Sequence, residues 1–298
     1  MVRKVMKKIK HSIRLSGLYL RSRLLNIKYK TPEVIDDIQT LDLLIKDNKS
    51  IARFGDGEIA LINSMDIKFQ KADVQLKERL KEILYTEDDG ILIGIPDIFT
   101  LKSMKKLTYE SKLFWQHELI DRQQIWYSIP KNKVYYDACI TRPYIRNVDN
   151  RHSSILFDKL KQVWNGRKVV IVEGQYSRLG LGNDLFSNTE DLKRILCPSK
   201  DAFCKYDQIM ENVLKVDKNT LILLSLGPTA TVLAYDLYKQ GYQVIDLGHI
   251  DLEYEWFLSG SKKRVPIKNK SVNELDNNAQ IDDFVSQKFE EQVVDRVL

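Results

Sequence analysis

The sequence predicts an α/β fold: a mostly parallel sheet flanked by helices, with a basic amphipathic helix ahead of it. Three observations carry this expectation. The runs Ile91-Leu-Ile-Gly-Ile95, Lys168-Val-Val-Ile-Val172 and Thr220-Leu-Ile-Leu-Leu-Ser-Leu226 are short and almost continuously apolar, as strands buried on both faces are. The stretch from Thr220 to Leu247 reads strand, helix, strand, and a right-handed crossover makes such strands parallel neighbours. Finally, 298 residues with 43% apolar content can bury the core of one large α/β domain, with or without appendages.

The chain begins with an arm whose chemistry differs from the rest. Residues 1–30 hold ten Lys or Arg and no acid, so that the net charge of +6 conceals a remainder with 37 basic against 41 acidic side chains. Within the arm Val2, Val5, Met6, Ile9, Ile13, Leu20, Leu24 and Ile27 recur at mostly three- and four-residue steps, which sets an apolar stripe beside a basic face. Such a helix either packs its stripe on the domain or lies on the anionic inner membrane surface, where each basic residue adds roughly 1 kcal/mol. The membrane reading is preferred, and with it a cytoplasmic protein peripheral to the inner face of the cell membrane. No run of about 18 apolar residues and no signal-peptide pattern occurs, so neither a membrane span nor secretion is expected. Cys139, Cys197 and Cys204 are scattered and form no CxxC, which suits reduced thiols. The slightly acidic remainder carries no nucleic-acid motif, and nucleic acid is not expected as a partner.

Thr31-Pro32 closes the arm, making residues 1–32 a first unit. From Glu33 to Asp47 the spacing of Val34, Ile35, Ile38, Leu41, Leu43 and Leu44 predicts a short helix leading up to the first strand. Ile51-Ala-Arg-Phe-Gly-Asp-Gly-Glu-Ile59 follows: an apolar run through Arg53 and Phe54, a break at Gly55, then Asp56 and Glu58 on either side of Gly57 as a helix begins. A strand thereby delivers two carboxylates to a loop at a helix mouth. Like charges so close repel, and a divalent cation or a nearby Arg relieves them. Mg²⁺ or Mn²⁺, oxygen-ligated and itself holding a diphosphate, fits Asp56 and Glu58, with Arg53 beside it and Gly55 and Gly57 free to take positive φ or approach a ligand. The plainer reading makes Asp56 a helix cap, leaves Glu58 in the first turn and pairs Arg53 with one of them.

Val74 to Leu84 then predicts an amphipathic helix, 103–126 an aromatic-rich helical region, and Val134-Tyr-Tyr-Asp-Ala138 a strand. Beyond that strand Arg142 and Arg146 suit phosphate or surface ion pairs. After Val172 comes Glu173-Gly-Gln-Tyr-Ser-Arg-Leu-Gly-Leu-Gly-Asn-Asp184, a glycine-rich loop at the carboxyl end of a strand, where open α/β sheets place ligands. Arg178, Gly180 and Asn183 are its phosphate-facing candidates. Gly227-Pro-Thr-Ala-Thr231 opens the next helix, whose free N–H groups and the hydroxyls of Thr229 and Thr231 suit a diphosphate, although Gly227-Pro228 also reads as a simple tight turn. The absence of G-x-G-x-x-G disfavours a dinucleotide. Directly after the last strand, Gly248-His-Ile-Asp-Leu-Glu-Tyr-Glu-Trp256 packs a His and three acids together. If extended, His249, Asp251 and Glu253 share one face; if helical, His249 pairs with Glu253.

The ordered set RFGDGE (53–58), ITRPY (140–144), VEGQYSRLGLGNDLF (172–186), SLGPTATVLAYDL (225–237) and DLGHIDLEYEWF (246–257) resembles the GT-D fold glycosyltransferases, a bacterial family long carried as a domain of unknown function. The resemblance covers roughly residues 35–260 and implies a single Rossmann-like domain, here 33–260, followed by 261–298 as linker and C-terminal helix. In that family a D-x-E motif engages a divalent metal and the UDP-sugar donor, which on this chain falls to Asp56 and Glu58. The implied activity is metal-dependent transfer of a hexose or N-acetylhexosamine from a UDP-sugar to a glycan acceptor. That acceptor is a lipid-linked oligosaccharide in capsule or exopolysaccharide synthesis, or a glycoprotein. For an inverting reaction the proton acceptor is expected to be Asp251, with Glu253 and His249 behind it. Tyr254, Trp256 and Phe257 either wall the sugar site or pack as core. The tail is expected to pack on the core or to make a homodimer. Two rival readings are a non-catalytic nucleotide-sugar or glycan-binding partner of another transferase, and a membrane-associated scaffold.

Overall fold

The apolar runs become interior strands of one sheet. The structure, a computed structural model, describes residues 2–271, 275, 281 and 286–298, with side chains from residue 16 onward. In chain order the elements are α1 (Val2–Tyr29), β1 (Glu33–Ile35), α2 (Asp37–Lys46), β2 (Ser50–Arg53), α3 (Asp56–Ile62), α4 (Val74–Tyr85) and β3 (Ile91–Ile95). There follow α5 (Leu101–Lys106), α6 (Tyr109–Asp121), α7 (Gln123–Trp126), β4 (Val134–Asp137), α8 (Asn150–Val163), β5 (Lys168–Gly174) and β6 (Asp191–Cys197). The last are α9 (Tyr206–Val213), β7 (Leu221–Ser225), α10 (Pro228–Lys239), β8 (Val244–Asp246), α11 (Ile250–Leu258), α12 (Gln287–Gln292) and β9 (Val293–Arg296). The nine strands run β1-β4-β3-β2-β8-β7-β5-β6-β9, and every pairing between neighbours is parallel.

Each sheet face buries its own core. One holds Phe54 and Ile59 at the start of α3 and Ala230, Leu233 and Leu237 of α10; the other holds Leu156 and Leu160 of α8, Leu179 and Leu185 after β5, and Ile250 and Trp256 of α11. Tyr254 and Trp256 are therefore core residues, and Phe257 packs against the same cluster. At about 25 cal/mol per Å² of apolar surface, such burial is the main favourable term for the fold.

Several expectations need correction. Glu33–Ile35 is not helical: it is an edge strand paired with β4, and the helix starts only at Asp37, capped by Asp36 Oδ1 on the Gln39 N–H at 3.0 Å. A three-residue strand has too few positions to show a period, and its partner lies about 100 residues away. The 103–126 region is three helices, broken where Thr108 caps α6. Helices α8 and α9 and strand β6 were not foreseen. The tail is more than a linker and helix, because β9 adds a parallel strand to the sheet beside β6. The expected acidic run Glu274 to Asp283, except for Leu275 and Ile281, lies outside the described residues, as do Phe284 and Val285.

The arm ends as a docked helix. Asn26 Nδ2 donates to Phe99 O at 2.7 Å, the Tyr127 hydroxyl donates to Asn26 Oδ1 at 2.6 Å, and Leu25 packs on the core. The stripe residues face the other way: Leu20, Leu24 and Ile27 are 60%, 58% and 72% exposed. The arm thus packs on the domain with a different face from the apolar one read in the sequence. Val2, Val5, Met6, Ile9 and Ile13 lie outside the described side chains.

Candidate active site

Chains leaving the carboxyl ends of neighbouring strands part to opposite faces of the sheet. The segments after β2 and β7 enter the core holding α3 and α10, whereas those after β5 and β8 enter the core holding Leu179 and α11. Parting connections open a crevice along this edge, the usual ligand position in open α/β sheets. Asp56 and Glu58 stand at its rim in the first turn of α3. Gly55 is the N-cap, not Asp56, and Glu58 Oε2 reaches back to accept the Gly55 N–H at 2.7 Å. Asp56 is exposed and Glu58 half-buried. Burial first, then the charges of Asp246 and Asp56, push the Glu58 carboxyl up to about 7 against the Gly55 hydrogen bond. This negative charge is not met by Arg53, whose ion pair is with Asp246. The pair therefore suits a cation. No cluster of three or more His, Cys, Asp or Glu suited to a metal occurs among the described residues. Such an ion needs further oxygens from a diphosphate and water, which is how Mg²⁺ is commonly held.

Arg53 ties three strand ends together. Its Nε donates to Asp246 O at 2.6 Å, Nη2 to Asp246 Oδ1 at 2.9 Å and Nη1 to Ala138 O at 2.9 Å. Neither Gly55 nor Gly57 takes a positive φ; around the crevice Gly180 (φ +74), Gly182 (φ +84), Gly227 (φ +55) and Gly248 (φ +51) do. At Gly248 a Cβ would lie 2.3 Å from Arg53 Nη2. Gly248→Ala is therefore expected to dislodge the Arg53 fork and to cost about 1–3 kcal/mol through strain and the lost ion pair, read as a lower denaturation midpoint. An unchanged midpoint would contradict this account of Arg53.

Further along the crevice a cleft lies over β5, β6 and β7, lined by Gly174, Ser177, Ser199, Ser225, Gly227 and His249, with Phe69 as a wall. Ser199 Oγ is buried there and makes no hydrogen bond among the described residues. Gly227 is held against Phe69, where a Cβ would meet its ring at 2.5 Å. Of the helix-start hydroxyls, Thr231 donates to Arg53 O at 2.9 Å, and Thr229 is fully buried, 3.4 Å from Gln70 Oε1. Their role in this structure is to fasten α10 to β2 and the loop before α4; Gly227 alone of that set lines the cleft.

The glycine-rich loop binds anions, but they are the chain's own. The Leu179 N–H donates to Glu173 Oε2 at 2.8 Å, and the Gly180 N–H and Asn183 Nδ2 donate to Asp251 Oδ1 at 2.8 and 2.7 Å. Arg178 is buried, and its Nη1 donates to Asn269 O at 3.2 Å. Lys270 completes the Asp251 shell, donating to Asp251 Oδ2 and Glu255 Oε1 at 2.7 Å each. Ile250–Leu258 is helical with His249 as its N-cap, which overturns the extended alternative. Glu253 is buried beneath the 140–146 loop and accepts the Tyr144 and Ile145 N–H groups at 3.0 and 2.9 Å. Asp251 and Glu253 therefore hold loops in place, and of the three residues expected as proton acceptors His249 is the one that lines the cleft.

Sequence reasoning missed Asp246, Ser199, Ser225, Phe69 and Lys270. Asp246 and Ser225 close their strands, a position that marks a ligand edge once strand order is known. Phe69 and Lys270 sit in loops without any such signal. The family model described as glycosyltransferase GT-D fold matches residues 51–275. The chain belongs to the GT-D fold glycosyltransferase family. Among solved structures, one described as having a distinct glycosyltransferase fold, for the domain of unknown function 1792, is 37% identical with a TM-score of 0.87, covering 94% of this chain and all of that one. Another, described as a new glycosyltransferase from Streptococcus sanguinis, is 37% identical with a TM-score of 0.85, covering 90% of this chain and all of that one. The chain is 38% identical over 257 residues to a Streptococcus gordonii protein named Probable glycosyl transferase Gly, covering 86% of this chain and 37% of the relative. It is 36% identical over 261 residues to Glycosyltransferase GlyD of Streptococcus pneumoniae, covering 87% of this chain and 32% of the relative. The chain thus spans about a third of the length of these two relatives.

Proposed function

We propose that the chain transfers a hexose or N-acetylhexosamine from a UDP-sugar to a glycan acceptor, with Mn²⁺ or Mg²⁺ held by Asp56 and Glu58. The observation that supports this most is a carboxylate pair at the rim of the crevice that the nearest guanidinium, Arg53, does not neutralise, in a chain of the GT-D family. The cation supplies positive charge to a leaving diphosphate. The protein supplies position. Arg53 ties the ends of β2, β8 and β4 together, Phe69 and Gly227 wall the cleft, and the Ser177 and Ser199 hydroxyls offer hydrogen bonds to a nucleotide. The test is UDP release from a panel of UDP-sugars with and without Mn²⁺. Metal-dependent release from one sugar supports the reading and names the donor. Neither release nor metal-dependent UDP binding by folded protein would sink it, and binding without release would favour a partner of another transferase.

The acceptor is a lipid-linked oligosaccharide of capsule or exopolysaccharide synthesis, or a glycoprotein, met at the cytoplasmic face of the membrane. No helix among the described residues is long and apolar enough to cross a membrane. The outward Leu20, Leu24 and Ile27, beside Arg21, Arg23 and Lys28, instead suit in-plane contact with anionic lipid. Leu20→Asp with Leu24→Asp is expected to abolish co-sedimentation with vesicles containing anionic phospholipid. Retained binding, or no binding by the wild type, removes the membrane from the proposal.

A further inference from the structure

A second recess opens on the same edge of the sheet, at the carboxyl ends of β1, β3 and β4. It is lined by Asp37, Asp97, Lys106, Asp137, Cys139 and Arg146. Elsewhere in this chain buried charges meet directly, as Arg194 meets Glu173 and Lys270 meets Asp251. Arg146 departs from that habit. Its Nε and Nη1 are buried and make no hydrogen bond among the described residues. Burial and the neighbouring Asp137 lift the Asp97 carboxyl to about 6, burial likewise lifts Asp137, and Arg146 opposes both shifts from close by. A guanidinium near two carboxylates that bonds neither, with desolvated donors left open, is costly unless something bridges them.

The chemistry of the gap selects what fits. Asp37 is already met by His152 at 2.6 Å and by Lys106 at 3.9 Å, so an anion would face Asp97 and Asp137 and a cation would face Arg146. A hydroxyl meets both demands, accepting from the guanidinium while donating to a carboxylate. The recess also adjoins the crevice: Ala138, between two of its lining residues, receives Arg53 Nη1 at 2.9 Å, and the same guanidinium holds Asp246. We propose that this recess is a saccharide subsite, in which Arg146, Asp97 and Asp137 grip the hydroxyl edge of the glycan acceptor. The assignment to the acceptor rests on the transferase reading; saccharide binding itself does not.

The experiment is saturation-transfer NMR and calorimetric titration of the whole chain, without nucleotide or metal, using glucose, galactose, N-acetylglucosamine and lactose as probes. Binding of at least one saccharide is expected, weakened about 10- to 100-fold in Asp97→Asn, the loss of one charged hydrogen-bonding partner. Arg146→Gln should weaken it comparably, and the near-isosteric Asp97→Asn keeps the test open if the arginine variant does not fold. No saccharide binding by the wild type, or equal binding by folded Asp97→Asn, would make the recess a water-filled structural pocket and overturn the proposal. UDP release by the wild type reports separately on Asp56 and Glu58, so either reading can fail while the other stands.

Discussion

Asp56→Asn and Glu58→Gln are each expected to reduce metal-dependent UDP release on the order of 10²- to 10³-fold while the protein stays folded, the scale of losing one charge-stabilising group at a reacting centre. The two variants probe different surroundings. Asp56 is exposed at the first position of α3, so its amide should cost only the few tenths of a kcal/mol that a carboxylate gains near a helix N-terminus. Glu58 caps its own helix, and Gln serves the same capping-box position, so the Gly55 hydrogen bond can persist in the variant. A neutral amide also removes the repulsion from Asp246 and Asp56 that pushes the Glu58 carboxyl upward. Stability should therefore hold while activity falls, and excess Mn²⁺ should restore part of the activity if the variants weaken ion affinity. Full activity in both, at ordinary Mn²⁺ concentration, would remove the metal from the motif.

What the sequence showed and what it hid divide along physical lines. Interior parallel strands are legible because burial on both faces demands continuous apolar residues, and β3, β5 and β7 lie where those runs lie. The placement of Asp56 and Glu58 in a first helical turn was legible because a strand, a glycine break and a helix start are all local. Edge strands were not: β1 is three residues long and β9 joins the sheet from a remote segment, and both are made strands by their partners. The glycine-rich loop misled for a related reason. Its free N–H groups do bind carboxylates, yet which anion fills them depends on Asp251, 71 residues beyond Gly180, which no local pattern reveals. The partners of the acids after β8 are likewise set by remote loops. In the helix Ile250–Leu258 Asp251 and Glu253 reach different loops: Glu253 accepts from the Tyr144 and Ile145 N–H groups, and Asp251 from the Gly180 N–H, Asn183 and Lys270.

Arg194→Met should be among the most destabilising single changes, at about 3–5 kcal/mol, the cost of orphaning a buried charge. Arg194 is 2% exposed and its partner Glu173 is fully buried. The guanidinium bonds Glu173 through Nη1, donates to Leu179 O through Nη2 at 2.8 Å and to Gln292 Oε1 through Nε at 2.8 Å, and lies 4.5 Å from the centre of the Phe289 ring. One side chain thus joins β5, the glycine-rich loop and the helix that leads into β9. Removing it leaves Glu173 with only the Leu179 N–H among the hydrogen bonds seen here. Burial already lifts the Glu173 carboxyl above its ordinary range, with Arg194 the largest opposing influence, so the variant should lift it further. A carboxyl raised in the folded state binds more protons there than in the unfolded chain, and stability then falls as pH rises through the interval between the two values. The deficit of Arg194→Met relative to wild type should accordingly shrink as pH is lowered from 8 towards 5, measured as urea midpoints at each pH. Glu173→Gln combined with Arg194→Met should recover part of the loss, because an amide needs no counter-charge. A deficit that is the same at both pH values and in the double variant would mean that packing against Phe289 and Gln292, not the orphaned carboxylate, is what Arg194 contributes.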